Sequence, residues 1–154
     1  MIGVYTKGMD REVCPFSCLT TKGVELMHLY LIRGLPGSGK STLSNSLLEA
    51  GLVDHVFEAD MYMVDRKGNY NFDPSRLKEC HSTCFENTSV ALSSGKNVAV
   101  SNTFVKLWEL DKYEDMAKSL GAKVTILRCE KNFGNVHNVP HEVVARMYHT
   151  FEDY

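Results

Sequence analysis

The stretch RGLPGSGKSTL, at positions 33–43, constrains the fold of this 154-residue chain more than any other segment. Residues 34–41 match the pattern G-x-x-x-x-G-K-[ST] at every fixed position, with an apolar run before them and a helical pattern after them. Glycine backbones can approach an anion closely, successive amides form an anion-binding nest, and a helix N-terminus adds the positive end of its dipole. The stretch therefore predicts a loop that holds the phosphates of a nucleoside triphosphate.

Each part of this loop has an expected role. The Lys40 ammonium can reach the outer phosphates, and the Ser41 hydroxyl can bind the Mg2+ that bridges them. An ordinary glycine-rich turn is the alternative, but it does not require the strand before the motif and the helix after it. The predicted nucleotide contacts are Gly37, Ser38, Gly39, Lys40, Ser41 and Thr42.

Strand and helix patterns alternate along the chain. The four apolar runs of buried-strand length are at 26–32, 53–59, 97–100 and 123–128. The predicted helices are at 41–50, 73–95, 107–120 and from 140 to the chain end. Strands separated by helices of this length form right-handed crossovers and a parallel sheet covered on both faces, which is the doubly wound α/β arrangement. Ligands then bind at the carboxyl ends of the strands.

Residues 1–26 have no sustained period, and we expect them to form a loosely ordered N-terminal extension to a single domain at 27–154. No apolar run approaches the roughly 20 residues that a membrane-spanning helix needs. Lys and Arg total 17 against 19 for Asp and Glu, so the net charge of −2 gives no global basic field. This weakens the case for a long polynucleotide as the substrate.

The cysteines are odd in number and follow no apolar signal segment, which favours reduced thiols and a cytoplasmic location. Two pairs have Cys-x3-Cys spacing, and His81 adjoins the second pair, so a zinc site remains an alternative to buried small apolar side chains. The five are Cys14, Cys18, Cys80, Cys84 and Cys129.

Two carboxylates lie at the end of the second predicted strand, in the run Glu58-Ala59-Asp60. Asp60 can face the terminal phosphate, orient an acceptor hydroxyl and take its proton, as a general base does. Glu58 would share its side-chain direction along a strand and support it. A helix cap or a solvated loop carboxylate is the alternative for Asp60. The guanine-specific pattern N-K-x-D does not occur in the sequence, which disfavours a GTPase.

Five landmarks in this order resemble the small P-loop kinases of the polynucleotide 5′-hydroxyl kinase type and their short ATP-binding relatives, including those with an AAA-type P-loop and those similar to zeta toxins. The resemblance covers about residues 27–150 and rests on LYLIRGLPGSGKST, EADMY, GNYNFDPSRL, SNTFVKLWEL and NVHNVPHEVVARMY. It implies a P-loop NTPase three-layer sandwich, a mainly parallel sheet with helices on both faces. It also implies ATP and Mg2+ as cofactors, Lys40 and Asp60 as catalytic residues, and a nucleotide-binding lid that includes Lys131 and His137. A hydrogen bond that orders the loop is the alternative for His137.

The chain departs from these relatives at three places. Ser101 stands where they usually have an aspartate, and a hydroxyl cannot supply the carboxylate's negative charge to a metal or water. The lid reads Lys131-Asn132-Phe133-Gly134 where relatives have arginines that stabilise the transferring phosphoryl group, which leaves Arg128 and Arg146 as further cations. Met63 replaces an arginine that grips an acceptor phosphate in polynucleotide kinases, and a thioether cannot do that.

The resemblance and the residues together predict an ATP-dependent kinase that transfers the γ-phosphoryl group to a hydroxyl of a nucleotide, a nucleic-acid 5′ end or a small molecule. Tyr62, Tyr70 and Phe72 can stack on a flat acceptor or simply pack. Two other functions remain open. One is a nucleotide-binding module with weak or no catalysis, because of Ser101 and the arginine-poor lid. The other is a toxin-like kinase acting on a sugar nucleotide.

Overall fold

The computed structural model describes residues 2–5, 26–65, 67–131 and 139–154. Its strands are β1 (Ile2–Tyr5), β2 (His28–Arg33), β3 (His55–Phe57), β4 (Val98–Ser101) and β5 (Lys123–Cys129). Its helices are α1 (Lys40–Glu49), α2 (Leu77–Ser93), α3 (Leu107–Ser119) and α4 (His141–Thr150). Two single 3-10 turns, Ala59–Tyr62 and Pro74–Arg76, lie between β3 and α2.

The strands form one sheet in the order β1-β5-β2-β4-β3, in which the last four are parallel and β1 pairs antiparallel with β5 at the edge. Two apolar clusters cover its two faces. Leu29, Leu31 and Ile126 pack with α2 and α3 on one face, whereas Ile32 and Leu127 pack with α1 on the other. Successive strand residues point to opposite faces, so this alternation confirms the predicted α/β sandwich with a mainly parallel sheet and helices on both faces.

Glycines end three of the predicted helices as expected. Gly51, Gly95 and Gly121 all have positive φ, between 70° and 80°, and each is the second residue after the end of α1, α2 or α3. This left-handed conformation costs a glycine little and lets its amide bond back to the last helical turn. Before α2, the Asp73 side chain accepts a hydrogen bond from the Ser75 amide and so caps the 3-10 turn Pro74–Arg76.

Besides the start of α2, which lies at Leu77 rather than at position 73, three boundaries differ from the sequence prediction. The second parallel strand, expected over 53–59, spans only His55–Phe57, because the chain turns into a 3-10 helix at Ala59. The final helix stops at Thr150, and the Phe151 to Tyr154 segment folds back onto the loop before α3, where the Glu152 amide donates to the Val105 carbonyl at 3.0 Å.

The third difference lies in residues 1–26, where Ile2–Tyr5 forms the edge strand β1. Four residues without a clear period give no strand signal by themselves, since the partner strand β5 lies more than a hundred positions away. Residues 6–25 are outside the described part of the chain, so the loosely ordered extension stays a prediction.

Candidate active site

The phosphate-binding loop connects the end of β2 to the start of α1, at the carboxyl edge of the sheet. Gly37 and Gly39 have φ of 77° and 91°, in the left-handed region that a residue with a Cβ avoids. Gly39 is the N-cap of α1, and its carbonyl accepts the Leu43 amide at 3.0 Å. The amides in the first turn of α1 have no carbonyl partner within the helix and so can receive an anion, as the motif predicts, whereas the Ser38 amide donates to the Leu35 carbonyl at 3.1 Å.

Gly34 lets this loop lie close to β5. A Cβ built at Gly34 would lie 2.5 Å from the main-chain oxygen of Cys129 and 2.6 Å from the Ser38 hydroxyl. Its φ of 154° is also unfavourable for a residue with a side chain. Its amide donates to the Thr103 carbonyl at 3.2 Å, which joins the loop to the end of β4. The loop conformation thus depends on an uncrowded backbone at this position.

Lys40 lies folded back over its own loop, with Nζ 2.9 Å from the Leu35 carbonyl oxygen. Burial lowers the pKa of Lys40, and the nearby Cys129, Glu58 and Asp60 offset part of that effect. A partly desolvated ammonium gains more from an arriving polyphosphate than an exposed one does, because its competing hydration is already reduced.

Glu58 reaches the first turn of α1. Its carboxylate oxygens accept from the Ser41 hydroxyl at 3.2 Å and from the buried Ser44 hydroxyl at 3.4 Å. The proposed Mg2+-binding serine therefore has a carboxylate partner, which the sequence analysis considered only as support for Asp60.

Asp60 belongs to the 3-10 turn after β3 rather than to a strand, so the shared strand direction expected for Glu58 and Asp60 is wrong. The buried Asn102 side chain accepts the Ala59 amide at 2.9 Å and so holds the start of this turn against the end of β4. Asp60 contributes to raising the pKa of Tyr70, although burial of the phenol is the larger cause. Asp60 is thus near both Lys40 and the aromatic loop.

One cleft of about 1630 Å³ brings these parts together. The whole predicted loop contact set lines it, together with Glu58, Asp60 and Lys131. The final helix α4 lines the cleft with Val143, Arg146 and Met147, of which the sequence indicated only Arg146 as a candidate cation. The aromatic and apolar residues on another part of its wall are Tyr70, Phe72, Pro74, Leu77 and His81.

The three departures from the relatives lie in different environments. Ser101 lines the cleft at the end of β4, is 2% exposed, and its hydroxyl has no hydrogen-bond partner within the described ranges. Met63 is fully buried beside Ala59 and Cys80 and does not line the cleft. Lys131 lines the cleft, whereas the following residues 132–138 lie outside the described residues, and His137 is among them.

Tyr62 differs from the other aromatic residues of the loop. It packs against the core, and its hydroxyl accepts from the Asn87 amide at 2.7 Å. Packing is therefore the role of Tyr62, whereas Tyr70 and Phe72 are 45% and 53% exposed at the cleft.

Arg33 and the C-terminal segment form a support behind the site that the sequence analysis missed. The buried Arg33 guanidinium donates to the carbonyls of Phe104 and Glu152, both at 2.8 Å, and lies 4.2 Å from the centre of the Phe151 ring. Arg128 lies 5.0 Å from the same ring. Phe104 has a φ of 44°, unusual for a residue with a side chain, at the loop this segment covers.

Cys80, Cys84 and Cys129 are buried free thiols. Among the residues with described positions, no group of three or more His, Cys, Asp or Glu side chains is arranged to hold a metal ion. Cys14 and Cys18 lie outside them, so the zinc alternative is untested for those two. No helix in the described part of the chain is both long and apolar enough to cross a bilayer.

Comparison with known proteins shows the family to which this chain belongs. The profile of the AAA domain family matches residues 29–137. NEDD4-binding protein 2 from Homo sapiens is 28% identical over 134 aligned residues, which cover 80% of this chain and 8% of that protein. The chain therefore spans less than a tenth of the length of this relative.

Solved structures share the fold at low identity. The Pnkp1/Rnl/Hen1 RNA repair complex matches with a TM-score of 0.55 and 19% identity, over 79% of this chain and 36% of that one. A gluconokinase from Sinorhizobium meliloti matches with a TM-score of 0.57 and 18% identity, over 82% of this chain and 75% of that one. The APS kinase CysC of Mycobacterium tuberculosis, in complex with AMPPNP and APS, matches with a TM-score of 0.53 and 18% identity. The match covers 79% of this chain and 68% of that one. The fold is that of P-loop kinases.

Proposed function

This chain belongs to the AAA domain family, and we propose that it is an ATP-dependent kinase that transfers the γ-phosphoryl group to an acceptor hydroxyl. The observation that carries the proposal is the position of Asp60 in the same cleft as the phosphate-binding loop. A general base is useful only where it can reach a hydroxyl that itself faces the terminal phosphate.

The roles of the residues follow from their positions. The amides of the phosphate-binding loop and of the first turn of α1, with the Lys40 ammonium, bind the phosphates of ATP. Ser41 would hold Mg2+, which would supply positive charge to the phosphate oxygens. The acceptor oxygen bonds to the γ-phosphorus while the bond to the β,γ-bridging oxygen breaks, so ADP leaves. The acceptor proton passes to the Asp60 carboxylate.

Two cations can stabilise charge on the transferring phosphoryl group. Lys131 follows β5, and Arg146 projects from α4 into the cleft lining. Together they are candidates for the role that lid arginines have in the relatives. A nucleotide contact by His137 is also part of this proposal. The AMPPNP complex of an APS kinase of similar fold supports ATP as the donor.

The acceptor must carry a hydroxyl, and the cleft offers it an exposed aromatic wall to bind against. Tyr70 and Phe72 suit a flat ring such as a base. A nucleotide or a nucleic-acid 5′ end fits this wall, and one structure of similar fold belongs to an RNA repair complex. The burial of Met63 and the net charge of −2 count against an acceptor gripped by its phosphate, so a nucleoside-like small molecule also fits.

A panel of acceptors tests the proposal. Radiolabelled γ-phosphate transfer is measured with 5′-hydroxyl oligonucleotides, nucleosides, nucleotides, sugar nucleotides and small polyols. We expect transfer to at least one class, abolished in Asp60→Asn with ATP binding retained. Glu79→Asn, on the exposed face of α2, is the control and keeps transfer, since it lies outside the cleft. Full activity of Asp60→Asn removes the general-base role.

The buried, uncharged Ser101 favours a second candidate function, a nucleotide-binding module with weak or no catalysis. Tight ATP binding without transfer to any acceptor in the panel would select it. Phosphorylation of the sugar nucleotides alone would select the toxin-like kinase. A cytoplasmic location is part of our proposal, since ATP is available there and the buried Cys80, Cys84 and Cys129 are unpaired.

A further inference from the structure

Ser101 lies at the end of β4, where the resemblance to the polynucleotide-kinase type implies an aspartate, so the phosphate site has one carboxylate fewer than that resemblance implies. Ser101 has a 2% exposed side chain whose hydroxyl finds no hydrogen-bond partner among the residues that the structure describes. It lines the same cleft as the phosphate-binding loop. A buried polar group without a partner is uncommon, and it indicates a place where a polar ligand or water belongs.

The neighbouring strand supplies a carboxylate at the same level. The parallel register of β3 and β4 pairs Phe57 with Val100. Glu58 keeps an extended backbone, with φ −133° and ψ 139°, so the next pair in this register is Glu58 and Ser101. Paired residues on adjacent parallel strands point to the same face and lie about 4.8 Å apart. The neighbouring strand therefore supplies a carboxylate, that of Glu58, beside Ser101.

The contacts of Glu58 are those of a residue in a magnesium site. One carboxylate oxygen accepts from the Ser41 hydroxyl at 3.2 Å, and Ser41 is the loop residue whose type and position suit Mg2+. The other accepts from Ser44 at 3.4 Å, which orients the carboxylate from behind. A hydroxyl and a carboxylate are both hard oxygen donors, the kind that Mg2+ prefers. The residues present therefore fit the ion.

We propose that Glu58 is the acidic residue of the Mg2+ site, binding the ion directly or through its water shell together with Ser41. This inference rests on the proposed function, because the ion concerned is the one that accompanies ATP. It separates the two carboxylates of the cleft by role. Glu58 serves the metal, and Asp60 serves the acceptor hydroxyl.

A purely structural role makes a different prediction. If Glu58 only held the first turn of α1 through Ser41 and Ser44, its removal would lower stability and weaken nucleotide binding equally with and without Mg2+. A role in the metal site makes the loss depend on the metal.

The experiment measures AMPPNP binding to the full chain by calorimetry at a series of Mg2+ concentrations. Binding of Mn2+ in the presence of AMPPNP is followed separately by the loss of the free-ion EPR signal. Wild type is compared with Glu58→Gln, and Glu49→Gln, at the exposed end of α1, is a control with the same change in charge. Asp60→Asn tests the other carboxylate of the cleft.

We expect Glu58→Gln to raise the half-saturating Mg2+ and Mn2+ concentrations by about 10- to 100-fold, with metal-free AMPPNP binding unchanged. Glu49→Gln and Asp60→Asn should keep the wild-type metal dependence. If Glu58→Gln fails to fold, Glu58→Asp keeps the charge on a shorter arm and should give a smaller shift in the same direction.

The outcomes distinguish this inference from the function on which it rests. Wild type that binds AMPPNP with a metal dependence equal to that of Glu58→Gln overturns the Glu58 assignment and leaves the kinase proposal standing. Wild type that binds no AMPPNP at any Mg2+ concentration overturns both.

Discussion

Gly34→Ala is the substitution for which the structure gives the clearest energetic expectation. The added Cβ would lie 2.5 Å from the Cys129 main-chain oxygen, which belongs to β5, and 2.6 Å from the Ser38 hydroxyl. The Ser38 side chain can rotate away, but the Cys129 carbonyl cannot move without shifting the strand. Overpacking of this kind costs about 1–3 kcal/mol. The glycine-favouring φ of 154° costs roughly another 1–3 kcal/mol.

Gly95→Ala is the matched control because it has the conformational cost without the close approach. Gly95 follows α2 with a φ of 80°, and a Cβ there would meet no atom within 4 Å. Its expected cost is only about 1–2 kcal/mol for a left-handed residue with a side chain. The difference between the two variants therefore measures how tightly the phosphate-binding loop lies against β5.

Urea denaturation, followed by circular dichroism, gives the free energy of unfolding of each variant. With a denaturant slope of about 2 kcal/mol per molar, Gly34→Ala should lower the midpoint by roughly 1 to 3 M, and Gly95→Ala by about 0.5 to 1 M. ATP binding should weaken in Gly34→Ala alone. Equal midpoints for the two variants would refute the argument, because the contact with Cys129 would then cost nothing.

Three further perturbations test other parts of the structure. Lys40→Met should abolish ATP binding. Without nucleotide, its thermal midpoint measured by calorimetry should stay level or rise, because burial disfavours the ammonium and lowers the pKa of Lys40. A large fall in that midpoint would contradict this expectation. Burial, with a smaller effect of Lys123, lowers the pKa of His28 from its usual 6.5. The unfolded state therefore binds more protons than the folded state as the pH falls below about 6.5, and the free energy of unfolding decreases on acidification. His28→Gln should flatten this decrease in urea titrations at a series of pH values below about 6.5. Phe151→Ala should lower the free energy of unfolding by about 2–3 kcal/mol, because a half-buried ring between two guanidinium groups is lost. Tyr148→Ala, 69% exposed, is its control at under about 0.5 kcal/mol, and equal effects of the two would exclude the docking of the C-terminal segment as a stabilising contact.

The strand and helix order, and the phosphate-binding loop, were predictable from local pattern. A buried parallel strand is an apolar run, a helix end takes a glycine, and an anion-binding nest needs glycines at fixed positions. Gly37 and Gly39 have the positive φ that the motif implies. Asp73 caps the 3-10 turn Pro74–Arg76, and α2 follows from Leu77.

The end of β3 is where local pattern failed. The run at 53–59 is apolar enough for a longer strand, but the Ala59 amide bonds to the Asn102 side chain from β4's end and the chain turns. Asp60 consequently lies in a 3-10 turn and Glu58 remains in extended backbone, so the two carboxylates do not share a direction. A hydrogen bond across 43 positions leaves no trace in either local sequence.

The sequence by itself determined the phosphate-binding loop and the layered α/β architecture, because both depend on backbone conformation and on the periodicity of neighbouring residues. Only the tertiary structure decided which side chains share the cleft. The pairing of Glu58 with Ser41, the burial of Met63, the edge strand β1 and the docking of Phe151 on Arg33 all join segments distant along the chain. Such contacts follow from strand order and register, which single-residue preferences do not encode.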